Sequence, residues 1–221
     1  MREYVVRLSS LTVKNIKNVK KGTIFMPLAK ERKLKLGGAE ILGIYGQNGS
    51  GKTAIVDTLF FLQRIMIGKE LDQNLIDYID IDSSDAKVNA EFKIFGPNIL
   101  FEVGYYINLI KQNGEVKINR EYLNCAINKD GIRTNKNIFI DYKYNEMECI
   151  FKPQKRLDEV VGKNQETKMD LIVARKIAEK SNCSYIFGES SREILCKEYN
   201  NDFKSYGIVI RELFDFALKD L

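Results

Sequence analysis

Histidine is absent from the 221-residue chain. With it go Ser-His-Asp and Cys-His nucleophile systems, and any reaction that needs imidazole as its base. Cysteine is scarce: Cys125, Cys149, Cys183 and Cys196 are spaced by 24, 34 and 13 residues, with no C-x-x-C pair. Without histidine or paired cysteines, the usual zinc ligand sets are missing. No stretch approaches the ~18 apolar residues of a membrane span, and Met1 to Leu8 lacks the apolar core of a signal peptide. These absences give the expectation of a soluble, cytoplasmic chain with reduced thiols and no membrane partner. A large excess of one charge is missing too: 35 Lys and Arg stand against 30 Asp and Glu, a net +5. That alone does not mark a nucleic-acid binder, and any hydrolysis would rest on carboxylates or a metal.

Hydrophobic residues make up 44% of the chain, enough for one domain with a real core or one large domain with a small appendage. The basic charge is concentrated at the start, where residues 1–40 hold ten Lys and Arg against three Asp and Glu. Lys14, Lys17, Lys20 and Lys21, with Lys30, Arg32, Lys33 and Lys35, form a cluster that could meet the phosphates of DNA. A solvated strand and loop surface is the alternative, and the favoured one.

Leu8 to Ile16 and Thr23 to Leu28 are rich in β-branched residues and read as strands, with Asn15 to Gly22 as the polar connection. Ile41 to Tyr45 is a short apolar run suited to a buried strand, and Ile55, Leu59, Leu62 and Met66 recur at helical spacing over Lys52 to Ile67. Val88, Ala90, Phe92 and Ile94 then alternate with polar residues, and Ile99 to Leu109 carries one apolar face. Asn113-Gly114 supplies a hairpin turn before Val116 to Leu123, so these strands are antiparallel. Ile138 to Tyr142 and Glu148 to Phe151 read as shorter strands. Beyond Pro153 the pattern turns helical: Thr167 to Lys180, a short helix opened by Ser190 with Glu193 as its capping box, and Phe203 to Leu221.

One string carries chemistry. Gly46-Gln47-Asn48-Gly49-Ser50-Gly51-Lys52-Thr53 satisfies G-x-x-x-x-G-K-[ST], the phosphate-binding loop. Average residue usage yields such a string by chance in about one chain of this length in a hundred. Its glycines let backbone N–H groups turn inward around phosphate oxygens, and the helix that follows presents its N-terminus to the anion. Gly46, Asn48, Gly49, Ser50 and Gly51 would form the cradle, Lys52 would neutralise the β- and γ-phosphates, and the Thr53 hydroxyl would ligate Mg²⁺. Asn128-Lys129-Asp130-Gly131 and Asn135-Lys136-Asn137-Ile138 look like the guanine-reading N-K-x-D, but neither has Asp in fourth place, so ATP is expected rather than GTP.

Leu11 to Val19, then Gly43-Ile44-Tyr45 into the loop, then Ala54 to Leu62, resembles the bacterial AAA-type ATPases of the ABC/SMC-like branch, near the RecF and OLD-family proteins. The resemblance implies an α/β P-loop NTPase head with an antiparallel meander. Residues 1–152 would form the nucleotide-binding lobe, and residues 153–221 part of a helical subdomain. It further implies ATP with Mg²⁺, hydrolysis in a complete head, a homodimer through the heads or a C-terminal continuation, and a role in DNA maintenance or phage defence. An ATP-binding regulatory module without turnover, and a P-loop kinase or GTPase, are the alternatives.

The family's signature segment, Asp-Glu strand and switch residue have no counterpart in the chain. The nearest substitute, Ile138 to Asp141, offers Asp141 as a water-mediated Mg²⁺ ligand or, in the favoured reading, an ordinary strand end. Gln154 or Gln165 could sense Mg²⁺, with surface roles favoured. The catalytic base is therefore unassigned. The expectation is an incomplete or shortened head, whose last helix exposes the stripe Val209, Leu213, Phe214, Ala217 and Leu218 and so promotes association.

Overall fold

The computed structural model of the chain describes residues 4–27, 29–30, 41–71, 73–144, 146, 148–151, 165–196 and 203–221. An eight-stranded sheet dominates it: β1 (Val5–Ile16), β2 (Val19–Phe25), β3 (Asp85–Gly96), β4 (Ile99–Gln112), β5 (Glu115–Lys129), β6 (Ile132–Arg133), β7 (Asn137–Lys143) and β8 (Glu148–Phe151). Four helices join it: α1 (Lys52–Met66), α2 (Gln165–Lys180), α3 (Glu189–Leu195) and α4 (Phe203–Lys219), with a 3₁₀ turn at Gln73–Tyr78. The sheet runs β2-β1-β3-β4-β5-β7-β8, with β6 paired to β5.

Turn chemistry sets this order. Asn113-Gly114 (φ 53° and 79°) and Asp130-Gly131 (φ 52° and 83°) both occupy the left-handed region that two-residue hairpins require. They close Gln112 onto Glu115 and Lys129 onto Ile132. Period-two alternation then buries one face: Ala86, Val88, Ala90, Phe92 and Ile94 of β3 point into the core.

The helices cover that face. Phe216 of α4 meets Phe92 edge-on at 6.0 Å, Tyr206 stacks on Phe139 at 4.2 Å, and Phe187, between α2 and α3, meets Tyr105 at 5.1 Å. Each fully buried side chain of this size contributes about 2 kcal/mol of hydrophobic stabilisation. The other face is polar, with Arg120, Asn124, Lys87 and Glu91 only half-buried.

The α/β head expected from the resemblance is not the architecture found. Among the described residues every strand pairing is antiparallel, whereas a P-loop NTPase α/β fold needs parallel neighbours. Short connections turn β2, β4, β5, β6 and β8 back beside the preceding strand, while β7 lies beside β5. The long connection through α1 does return to the sheet, but it lays β3 antiparallel to β1. Ile41 to Tyr45, expected as a buried strand, pairs with no strand among the described residues and is exposed, Ile41 at 83% and Tyr45 at 95%.

Three smaller corrections follow. The connection between β1 and β2 shrinks from Asn15–Gly22 to the two residues Lys17 and Asn18. Ser190 does not open α3, because Gly188 holds the N-cap position with no side-chain cap, and the buried Ser191 hydroxyl instead donates to the carbonyls of Tyr185 and Gly188. The α4 stripe is not bare: Val209, Leu213 and Ala217 are fully buried, with Gln63 of α1 donating to the Ala217 carbonyl at 3.1 Å. Of the five stripe residues only Leu218, at 53%, is strongly exposed.

Candidate functional site

The phosphate-loop string folds as a tight loop delivered onto α1. The Ser50 amide donates to the Gln47 carbonyl at 3.2 Å, and Gly49 and Gly51 take φ values of 82° and 90°. Gly51 is doubly required. Its backbone is left-handed, and a Cβ there would lie 2.5 Å from Cγ2 of Val19 on β2. The loop thus rests directly on the Val19 side chain at the start of β2, with no side chain of its own at that point.

Lys52 turns back over the loop. Its ammonium donates to the Gly46 carbonyl at 2.6 Å and the Gln47 carbonyl at 2.7 Å, so one cation sits against the loop's carbonyls. The N-cap Gly51 has no side chain to satisfy the first-turn amides, and the first turn of α1 contains no acidic residue. A 15-residue helix therefore presents its positive dipole end and the amides of its first turn without an internal counter-charge. Thr53 lies in that turn and is exposed. Its neutral oxygen suits a hard cation such as Mg²⁺, whose other ligands would be phosphate oxygens and water. Among the described residues no group of three or more acidic, Cys or His side chains gathers to hold a metal.

The β1–β2 turn, which the motif does not include, holds this loop from the side. Asn18 Nδ2 donates to the Gly49 carbonyl, and Lys17 Nζ pairs with Asp57, one helical turn beyond Thr53. The same Lys17 lies 4.8 Å above the Tyr78 ring, while its amide donates to the Tyr78 carbonyl at 2.7 Å. The turn is therefore gripped by the 3₁₀ segment on one side and grips the phosphate loop on the other. A single sequence gives no signal for these partners, because Lys17 and Asp57 are 40 positions apart.

Other candidates are placed elsewhere. Asp141 on β7 accepts both Nε (2.8 Å) and Nη2 (2.6 Å) of Arg120, a forked pair on the polar face of the sheet, and its hydrogen bond raises the guanidinium pKa. β7 is four places from β1 in the sheet, about 19 Å at ~4.8 Å per strand. Asp141 is thus a structural ion-pair partner rather than a companion of the loop. Asn128 to Gly131 forms a hairpin corner, and Lys136 pairs with Glu91. Gln165 starts α2, with its side chain outside the described residues, as is Gln154 altogether. Of the basic cluster, Lys17 and Lys20 are engaged by Asp57 and Asp80, and Arg32, Lys33 and Lys35 lie outside the described residues.

A second polar centre is buried in the core, and the sequence reading missed it. Glu121, with no exposed surface, accepts from Tyr105 Oη (2.6 Å), Ser184 Oγ (2.8 Å), and the amides of Tyr185 (2.6 Å) and Ile186 (3.1 Å). Tyr144 Oη lies 2.7 Å from the same carboxylate and 2.7 Å from the Cys183 carbonyl. Burial pushes the Glu121 pKa up, the hydrogen bonds pull it back, and the net shift is upward. Cys183 beside it is pushed up to about 11 by burial, so the thiol stays protonated and unreactive at neutral pH. This centre pins the α2–α3 connection to β4 and β5. A phase change could have revealed it: apolar residues shift from Val116 and Ile118 to Leu123 and Cys125 across a bulge at Asn119.

No helix is long and apolar enough to cross a membrane among the described residues. No protein-family model matches the chain, and no curated protein matches it.

Proposed function

We propose that the chain is a nucleotide-binding protein whose Gly46 to Thr53 loop takes the triphosphate of ATP together with Mg²⁺. The observation that carries this reading is Lys52 folded over the loop carbonyls at the uncapped start of α1. Incoming phosphate oxygens would replace those carbonyls as acceptors, and the ammonium would exchange dipolar partners for full charges. The first-turn amides and helix dipole favour the same anion. Mg²⁺ would offset the remaining phosphate charge, with Thr53 Oγ1 as the protein's ligand. Adenine is favoured because neither N-K-x string has an Asp in the fourth place to read guanine.

Binding, rather than rapid turnover, is the function these residues support. Asp57 lies one turn along α1 but is held by Lys17, and Asp141 is held by Arg120 on the far face. Neither is placed to orient an attacking water. Titration of the chain with a fluorescent ATP analogue and Mg²⁺ tests the reading. Lys52→Ala should weaken binding about tenfold or more, equivalent to ~1.4 kcal/mol. Equal affinity in parent and variant would remove the loop from the site. GTP bound about tenfold tighter than ATP would overturn the adenine assignment.

A further inference from the structure

We propose that the polar face of the sheet takes a single-stranded nucleic acid, laid across the strands with its phosphates on Lys21, Lys14 and Lys87. Strand register places these lysines side by side. Lys14 of β1 stands directly opposite Lys21 of β2 on one side and Lys87 of β3 on the other. The same lateral row continues through Asn108 to Arg120 and Lys143, so five of its six residues are cations. It crosses five strand spacings, about 24 Å at ~4.8 Å each. Alternation turns the row away from the core, because Val13, Val88, Glu121 and Tyr142 beside it point inward. Of the basic cluster in the sequence only Lys14 and Lys21 belong to the row, and register supplies the other cations from strands far along the chain.

Two features select the occupant. The first is uncompensated charge. Asp141 is held by Arg120, Glu146 by Lys143, and Asp85 lies 3.3 Å from Lys87 while also accepting from Asn108. Glu148, opposite Lys143, has its side chain outside the described residues. Lys14 and Lys21 are exposed and have no carboxylate partner among the described residues. Like charges directly opposite in a sheet repel, so three adjacent lysines sharing one carboxylate suit a ligand that brings a run of negative charges. The second feature is the neighbouring row on the same face, Thr23, Thr12, Asn89, Tyr106 and Tyr122. It offers hydroxyls, an amide and two stacked rings 4.6 Å apart. Cations in one row beside polar and aromatic groups in the next match a strand whose phosphates and unpaired bases lie side by side. A duplex turns its bases inward, and an acidic peptide has none. This contact stands whether or not the loop binds ATP.

Fluorescence anisotropy of the full chain with a labelled oligothymidylate, without ATP, is the test. The probe should be roughly 20 nucleotides long, beyond the ~4–16 that such sites cover. The parent should bind with a dissociation constant of about 10–100 μM near physiological salt, and its affinity should fall with a log–log salt slope of about −2, since each of the three phosphates contributes ~0.7. Lys14→Gln should reduce the slope by about 0.7, and replacing Lys14, Lys21 and Lys87 together with Gln should bring it near zero. Lys129→Gln removes the same charge from an exposed position off the row and should change nothing. Because Lys14→Gln relieves two like-charge contacts, its urea midpoint should equal or exceed the parent's, which separates lost binding from a folding defect. A parent that does not bind overturns the proposal, as does a slope that the triple variant leaves unchanged or that Lys129→Gln lowers equally. A duplex of the same length bound as tightly as the single strand overturns the choice of occupant, and so does polyglutamate competing equally well.

Discussion

The surroundings of Glu121 and those of the phosphate loop solve opposite problems. At Glu121 a charged group has been removed from water and surrounded by donors from three separate parts of the chain: Tyr105 on β4, Tyr144 after β7, and Ser184 to Ile186 between α2 and α3. At the loop, residues 41–50 are exposed throughout, and the holding contacts are Gly51 against Val19, Asn18 on Gly49, and Lys52 on its own carbonyls. The first centre over-determines its geometry, with every carboxylate contact made inside the chain. The second keeps its amides and its cation near solvent, where a ligand can take them. With nucleotide at the loop as proposed, stability and binding would be drawn from different residues, and substitutions should separate them.

The largest effect is expected at the buried centre. Glu121→Leu leaves the Tyr105 and Ser184 hydroxyls and the Ile186 amide without their acceptor, while Tyr144 keeps the Cys183 carbonyl and the Tyr185 amide keeps Tyr144 Oη, and should destabilise the fold by about 3–5 kcal/mol. Glu121→Gln keeps one acceptor oxygen but points an amide at donors, and should lose about 2 kcal/mol. Urea midpoints measure both. Nucleotide affinity in the folded fraction of Glu121→Gln should match the parent, and a parallel loss of affinity would show that the two regions are coupled.

The pH dependence sharpens the same point. Because burial raises the folded-state pKa of Glu121 above its ordinary 4.5, the folded state binds a proton more tightly than the unfolded chain. Its contribution is fully present below the unfolded value and is lost as pH rises through the folded one. Relative to Glu121→Gln, the parent should therefore lose stability as pH increases from about 4.5. Paired urea titrations at about pH 5 and about pH 8 read the difference, and a parent that gains on the variant at the higher pH would reverse the sign.

At the loop, Gly51→Ala should act on binding more than on the fold. The added Cβ meets Val19 Cγ2 at 2.5 Å and must accept φ near 90°, which together should destabilise the loop's geometry by about 1–2 kcal/mol. Nucleotide affinity should fall by about tenfold. Combining it with Val19→Ala relieves the contact but not the backbone strain, so partial recovery is expected, read by the same fluorescent titration.

The same division decides what could be read in advance. Strands β3 to β5 were legible because alternation and the Asn113-Gly114 turn act locally, and α1 because its apolar residues keep helical spacing. Ile41 to Tyr45 misled, because an apolar run signals burial only if a partner strand lies beside it, and pairing is a property of the whole sheet. The stripe on α4 misled for the converse reason: its cover includes α1 and β1, far away in sequence. The loop from Gly46 to Thr53 was legible as a string with fixed spacing and as the lead into α1, which is what the structure shows of it. The Lys17, Asn18 and Asp57 contacts were not, since nothing local ties a hairpin turn to a helix formed 40 residues later. Glu121 was hidden because a bulge reverses which side of β5 faces inward.

The smallest expected effect would show whether the β1–β2 turn presents the loop or merely lies against it. Asn18→Ala removes a hydrogen bond to the Gly49 carbonyl. That bond is exposed, so water replaces most of it and the fold should lose only about 0.5 kcal/mol. If the turn holds Gly49 in its left-handed conformation, the loop will sample more states and ATP should bind about twofold to threefold more weakly, because ordering is then added to the binding step. Asn18→Asp separates presentation from simple loss of the bond. A carboxylate there cannot donate to Gly49 and adds negative charge beside the site, so affinity should fall further, by about fivefold at low salt, and recover partly as salt screens the repulsion. Identical affinities for the parent and both variants would show that the turn is a passive neighbour, leaving Gly51 and Lys52 to set the loop's geometry.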